Sequence, residues 1–383
     1  MKNLLKIIFF LLLFTLSSLN KCWASDKVKI GLVVPLSGEY SNIGNTIVKS
    51  VRLAINKINN NNIVIVPKDS KANPIDTLKV SKELSNENVK IIIGPVFYEN
   101  LRYLDELQHI TFLSLTNKII NKPKNVISAG VNAISQLKTI EKFSKMKNLE
   151  RSILMIPNTN YKNEIKNAVK LTNLKIKEQF VYDQDPTILT KQIEKLTRYS
   201  ERKKKLEDKI IELEDSSLKN NKDKIKKLKK KDTLGFINFD SVIIADFDES
   251  LKSVATSLLY TDVSSKRISY ITLNQWFDKT LLKESALQPI YFPSINRINY
   301  LEFINEYKKS YNSIPNQLSF LSYDLIGLIY FLLYEQEFKT TKNLFLKKNT
   351  FRGKIGIFEI NDNIITHRLN FYSVENNKFI KIF

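Results

Sequence analysis

The chain has 383 residues, 43% of them hydrophobic, enough for two ordinary domains with sizeable cores. Its formal charge is +21, but the lysines are spread along the whole length beside abundant Asn and Ile, which is the bias of AT-rich coding rather than a nucleic-acid footprint. One cysteine and two isolated histidines leave no material for a disulfide framework, a zinc cluster or a histidine-based triad.

Residues 1–24 read as a secretory leader. Lys2 and Lys6 precede an apolar stretch from about Ile7 to Leu16, and Cys22-Trp23-Ala24 offers small residues before a cleavage point after Ala24. Lipid attachment at Cys22 is the alternative, in the poor context of Asn20 and Lys21. Cleavage removes the only cysteine with Lys2, Lys6 and Lys21, so the charge falls from +21 to +18. No later segment reads as long and apolar enough to cross a bilayer, the run from Leu325 to Leu333 being short. A periplasmic location is expected.

From Lys27 onward, apolar runs alternate with helical spacing. Strands are expected at Val28–Val34, Ile63–Val66, Val89–Ile93 and Ile110–Leu115, with helices after Gly44 and from Pro74. The rhythm restarts after about Gly130. Strands are expected there at Ser152–Ile156, Lys175–Val181, Ser241–Ala245 and Ile268–Thr272. Helices fall around Asn132–Lys145, Tyr161–Leu171, Thr187–Arg198 and Glu249–Tyr260. Short strands separated by helices indicate parallel sheets covered on both faces, so the fold class is α/β with two doubly wound lobes and a cleft between them. The tail differs: Lys354–Ile360, Ile365–Val374 and Phe379–Phe383 look like strands without helices between them. Arg198 to Asp232 also breaks the rhythm, with 14 basic and 8 acidic residues, and reads as an inserted charged helical hairpin closed on a narrow apolar seam. That hairpin is either a solvated insertion or an arm for a partner protein or an anionic surface.

Three loops carry the functional expectation. "VVPLSGEYSNIGN" has no lysine for a Walker loop and no dinucleotide fingerprint, so nucleotide binding is not supported. Instead Pro35 ends the strand, and Gly38 and Gly44 turn the chain into a helix whose first N–H groups face the carboxyl edge of the sheet. "IIIGPVFYENL" is read as strand, Gly94-Pro95, then helix, and "TFLSLTNK" places Ser114, Thr116 and Asn117 at the same edge. No G-x-S-x-G elbow or H-E-x-x-H occurs, and no enzyme activity or cofactor is expected.

On "IGLVVPLSGEYSNIG", "VKIIIGPVFYENL" and "LSYDLIGLIY" the chain resembles the type I periplasmic binding proteins of the leucine-binding-protein-like superfamily. On "FDSVIIADFDESLKSVATSLLYTDV", "LNQWFDKTLL" and "FRGKIGIFEINDNIITHRLNFYSVENNKF" it looks most like the penicillin-binding protein activators. The resemblance covers nearly all of the chain after the leader except the hairpin. It implies two α/β lobes joined by three crossings: 26–130 with 293–350, and 131–292 with 351–383, the hairpin at 198–232 belonging to the second. The edge loops and the resemblance together give ligand-facing positions at Ser37, Tyr98, Ser114, Thr116, Asn117, Tyr161 and Asp246, with Asp248 as the alternative to Asp246. Tyr98 stands where amino-acid receptors carry a small hydroxyl, and Lys162 where they commonly carry Gly. The implied partner is a peptidoglycan synthase (a penicillin-binding protein), regulated by protein–protein contact. The alternative is an ABC permease, served by a solute-binding protein for an amino acid or similar small polar ligand.

Overall fold

The structure is a computed structural model and describes residues 27–216 and 221–383. The leader and Cys22 therefore lie outside the described residues. The first sheet is fully parallel, built from β1 (Val28–Val34), β2 (Ile63–Asp69), β3 (Ile91–Ile93), β4 (Thr111–Ser114) and β5 (Val126–Ser128) in the order β2-β1-β3-β4-β5. Ile30, Leu32, Val33 and Val34 are all buried, because α1 (Ser41–Ile58), α2 (Pro74–Asn86) and their neighbours cover both faces. Pro74 opens α2 and the Asn73 side chain caps it by accepting the Ile75 and Asp76 N–H groups. After Gly94-Pro95 the chain makes only two 3₁₀ turns, Tyr98–Leu101 and Leu104–Leu107, where the sequence suggested a helix.

Ala129 to Asn132 carry the chain to the second lobe. There α3 (Ala133–Met146) is followed by β6 (Ser152–Pro157), α4 (Lys162–Lys170), β7 (Ile176–Tyr182) and α5 (Pro186–Thr197). The charged hairpin is present as α6 (Tyr199–Asp215) and α7 (Asn221–Leu228). Then come β8 (Ser241–Ile244), α8 (Asp248–Tyr260), β9 (Ser269–Thr272) and β10 (Ile290–Ser294), and strands β6 to β10 are parallel. A second crossing at Ser294–Arg297 returns the chain to the first lobe as α9 (Arg297–Tyr311) and α10 (Gln317–Glu335).

Helix α10 has 19 residues and meets the length and composition of a membrane span, which the sequence reading did not anticipate. It is a core helix: Ser319 to Ile326, Leu328, Ile329, Leu332 and Leu333 are buried, and the Ser50 hydroxyl of α1 donates to Ser319 O. The tail then forms β11 (Asn349–Arg352), β12 (Ile357–Asn361) and β13 (Ile364–Arg368), a separate antiparallel sheet. Beyond Leu369 it enters the second lobe as β14 (Asn370–Glu375) and β15 (Lys378–Lys381), completing the order β15-β14-β10-β9-β8-β6-β7. The apolar run expected as one strand over Ile365–Val374 is thus two strands in different sheets.

The crossings are bolted together by polar contacts. The Asn132 amide donates to Ile365 O at 2.8 Å, and His367 Nε2 meets Ala129 O at 2.9 Å. At the second crossing Asn296 N–H donates to Ile355 O at 2.9 Å, and the Tyr372 hydroxyl accepts Arg297 N–H while donating to Ile295 O. Buried aromatic rings continue this seam: Phe277 meets Tyr372 at 4.9 Å and Tyr300 at 6.3 Å, and Tyr300 reaches Phe320 of α10 at 5.3 Å.

Candidate functional site

The three edge loops of the first lobe meet as the sequence suggested. A Cβ on Gly44 would lie 1.7 Å from Pro35 O, so α1 can approach the end of β1 only with glycine there. Gly94 has φ +110°, and its Cβ would lie 2.1 Å from Val33 O. The rings of Tyr40 and Phe97 close over the two loops edge-on at 4.8 Å. Ser37 donates to Asp69 Oδ2 at 2.5 Å and Leu36 N–H to Oδ1 at 2.7 Å. Burial works to raise the Asp69 carboxyl, but these bonds and that from Lys71 N–H hold it below its ordinary range. Ser114 is fully buried, donates to Pro95 O at 2.9 Å and accepts Thr116 N–H. Thr116 is buried and its hydroxyl oxygen accepts Lys118 N–H at 3.2 Å, whereas Asn117 is exposed.

In the second lobe Asp246 is buried and fully engaged within its own sheet. It accepts the Tyr182 hydroxyl at 2.6 Å, the Gln184 amide at 3.1 Å and Phe247 N–H at 2.9 Å. The Tyr161 hydroxyl is buried without a partner among the described residues, and burial, with Glu164 beside it, pushes its phenol far up.

Beside these loops, along segment 118–123, lies a cavity of about 640 Å³. It is walled by Tyr98, Lys118 and Lys122 from the first lobe and by Asn160, Asn163 and Glu164 from the loop and helix after β6. Of the seven ligand-facing positions expected from sequence, only Tyr98 lines it. Tyr98 does not point a free hydroxyl at the space: it donates to Asn121 O at 2.6 Å and Ile120 O at 3.0 Å, with the Lys118 ammonium 4.6 Å over its ring. Burial, then the nearby Glu164 and Glu99, raise its pKa.

Glu164 is the residue the sequence reading passed over. Its carboxylate, buried in the second lobe, accepts Ile119 N–H at 2.7 Å and Ile120 N–H at 3.4 Å from the first. Burial raises this carboxyl although the two N–H donors and Lys118 pull it down. In sequence it is one more acidic residue in the first turn of a helix, where glutamate is common for the dipole alone, so nothing set it apart. Segment 118–121 is consequently gripped twice, at its N–H groups by Glu164 and at its carbonyls by Tyr98.

The cavity carries the cations Arg102, Lys118 and Lys122 against the carboxylates of Glu99, Asp105 and Glu164, and its lining holds no Ser, Thr, Cys or His. Burial pushes the Lys122 ammonium down, and that group donates to Val126 O. No group of metal-ligating side chains occurs among the described residues. The arrangement suits polar recognition or lobe-to-lobe contact.

Two sheets on either side of three crossings define a two-lobed architecture, and the chain has the type I periplasmic binding fold. Residues 27–173 match the family model described as periplasmic binding protein. The structure is similar to a putative branched-chain amino acid ABC transporter protein from Rhodospirillum rubrum (TM-score 0.68, 12% identity, 93% of this chain and 100% of that one). It is also similar to the LpoA C-domain from Haemophilus influenzae, a regulator of PBP1A (0.61, 14%, 93% and 100%). A third similar structure is the substrate-binding protein LivJ from Streptococcus pneumoniae in complex with isoleucine (0.52, 16%, 93% and 99%). No curated protein matches the sequence. At these identities the likeness is one of fold, and it spans binding proteins of both transport and regulation.

Proposed function

We propose that this is a non-catalytic, exported two-lobed protein that regulates a peptidoglycan synthase by protein–protein contact, in the manner of the penicillin-binding protein activators. The observation that carries this reading is the Glu164 carboxylate receiving Ile119 and Ile120 N–H across the cleft. In a solute receptor the ligand stabilises the closed state by bridging the lobes. Here the chain's own side chain bridges them, and Tyr98 spends its hydroxyl on the same segment. Lobes tied in this way present a fixed surface rather than a ligand-gated one.

The second reading, a solute-binding protein for an amino acid, has one feature in its favour. A cavity of about 640 Å³ falls within the range of small-molecule sites, and its mixed charge would suit a zwitterion. Thermal shift with a panel of amino acids separates the two, because a ligand at 100 times its dissociation constant adds about 2.7 kcal/mol. The regulator reading expects no shift, together with recovery of a peptidoglycan synthase when the tagged protein is pulled from envelope extracts. A clear shift with any amino acid would transfer the case to transport.

A further inference from the structure

The α6–α7 arm is placed where it cannot serve the cleft. Helix α5 starts at the carboxyl edge of the second sheet, beside Asp185, and runs back along β7, so its end at Arg198 lies at the opposite edge. The arm returns through Leu234 to Asp240 into the start of β8, at that same edge. With seven residues in β7, the arm's root stands roughly 20 Å from the cleft rim. The root is firmly built: the buried Arg202 guanidinium donates to Thr197 O at 2.9 Å, to Thr233 Oγ1 at 3.0 Å and to Thr261 O, and Tyr199 packs on Tyr260 at 5.4 Å. Helix α6, with 17 residues, reaches about 25 Å.

Residues 221–232 hold seven lysines against two aspartates. Lys209 pairs with Glu212 and Lys229 with Glu214, but Lys222, Lys224, Lys226, Lys227, Lys230 and Lys231 are exposed, with no ion pair among the described residues. All the basic residues of this stretch are lysines. Lysines are mobile point charges with no preference for one bidentate partner, which suits a fluid array of anions better than a single carboxylate or phosphate. Five residues past Lys231, Phe236 is 85% exposed, the most exposed large apolar side chain among the described residues. It follows Gly235, whose φ of +122° turns the chain there. A polybasic helix and, at the arm's root, one bare aromatic ring supply the two elements of peripheral binding to an anionic bilayer: electrostatic attraction and a shallow apolar anchor.

We propose that the arm docks the second lobe, by the pole opposite the cleft, onto an anionic lipid surface, with the exposed lysines of residues 222–231 over the headgroups and Phe236 at the acyl boundary. Lipid docking at that pole leaves the cleft face open to other partners and is independent of whether the cleft takes a ligand.

The test uses residues 25–383, which hold every described element and omit the apolar leader, in co-sedimentation with vesicles. Vesicles of phosphatidylcholine with about one-third phosphatidylglycerol should bind the protein at low salt, release it at high salt, and pure phosphatidylcholine should not bind it. Each lysine near an anionic surface multiplies affinity about fivefold, so replacing the six exposed lysines by Gln should weaken binding more than a hundredfold. Phe236→Ala should weaken it several-fold while keeping the salt dependence. The substituted side chains are exposed, and an unchanged unfolding midpoint confirms that each variant folds. Absence of binding by the unaltered chain, equal binding to neutral vesicles, or full binding by the six-lysine variant would each overturn the proposal. So would capture by polyglutamate beads with none by vesicles, which would make the arm's partner an acidic protein.

Discussion

Asp324 and His367 are both buried near the crossings and respond to pH in opposite senses. Burial pushes the Asp324 carboxyl from 3.8 up to about 7, against the pull of the Ile355 and Lys354 N–H groups. A raised carboxyl stabilises the fold fully below its unfolded value near 4, and that contribution is lost as pH rises through about 7. Burial pushes His367 from 6.5 down to about 4, and its Nε2–H donates to Ala129 O, so the imidazole is held neutral. Its contribution is present above 6.5 and lost as pH falls toward about 4. The two displacements are each on the order of 3–4 kcal/mol and partly cancel between pH 4 and 6.5. Urea denaturation at several pH values should therefore show Asp324→Asn losing stability on acidification more steeply than the natural chain. His367→Gln should show the reverse, and parallel curves for all three would refute the assignment. Gly353 leaves the room for this carboxyl, since a Cβ there would sit 2.3 Å from Asp324 Oδ2.

Elements whose sequence pattern and packing agree were legible; those set by tertiary context were not. β1 and β9 fall where their apolar runs placed them because both faces are buried and the run has no other use. β5 is three residues long and β10 contains Pro293, so neither carried a strand signature, and pairing with neighbours alone makes them strands. The candidate site was half legible for a similar reason. The loops at Ser37, Tyr98 and Ser114 follow from strand ends, but the partner of segment 118–121 is a glutamate on the other lobe, which only the fold brings near. Two glycine substitutions separate turn strain from close approach. Gly44→Ala should cost about 3 kcal/mol or more, since its Cβ meets Pro35 O at 1.7 Å. Gly38→Ala, with φ +75° and nothing within 4 Å, should cost only about 1–2 kcal/mol. Equal midpoints in denaturant would contradict the distinction. At the arm's root Arg202→Met leaves three acceptors unmet. Trypsin should then remove the arm much faster while the lobes persist, and unchanged digestion would show that the guanidinium does not anchor it.

For the molecule as a whole, the issue is what holds two lobes at a fixed angle. Crossings stitched by Asn132, His367 and Tyr372 and an aromatic seam from Phe277 through Tyr300 to Phe320 stiffen one side. Glu164 adds a tie beside the first crossing, since the segment it holds is itself bonded to Ser128 and Gly130. Removing a carboxylate that satisfies two half-buried N–H groups costs about 1 kcal/mol or more, comparable to the free energy that separates open from closed states in hinged proteins. Glu164 is therefore one tie among several, and removing it should loosen the lobes.

Small-angle X-ray scattering on residues 25–383 tests this most directly. The ligand-free protein should give the radius of gyration of this structure, unchanged by a saturating mixture of amino acids, and Glu164→Ala should expand it. An expanded ligand-free protein that contracts when an amino acid is added would contradict the account.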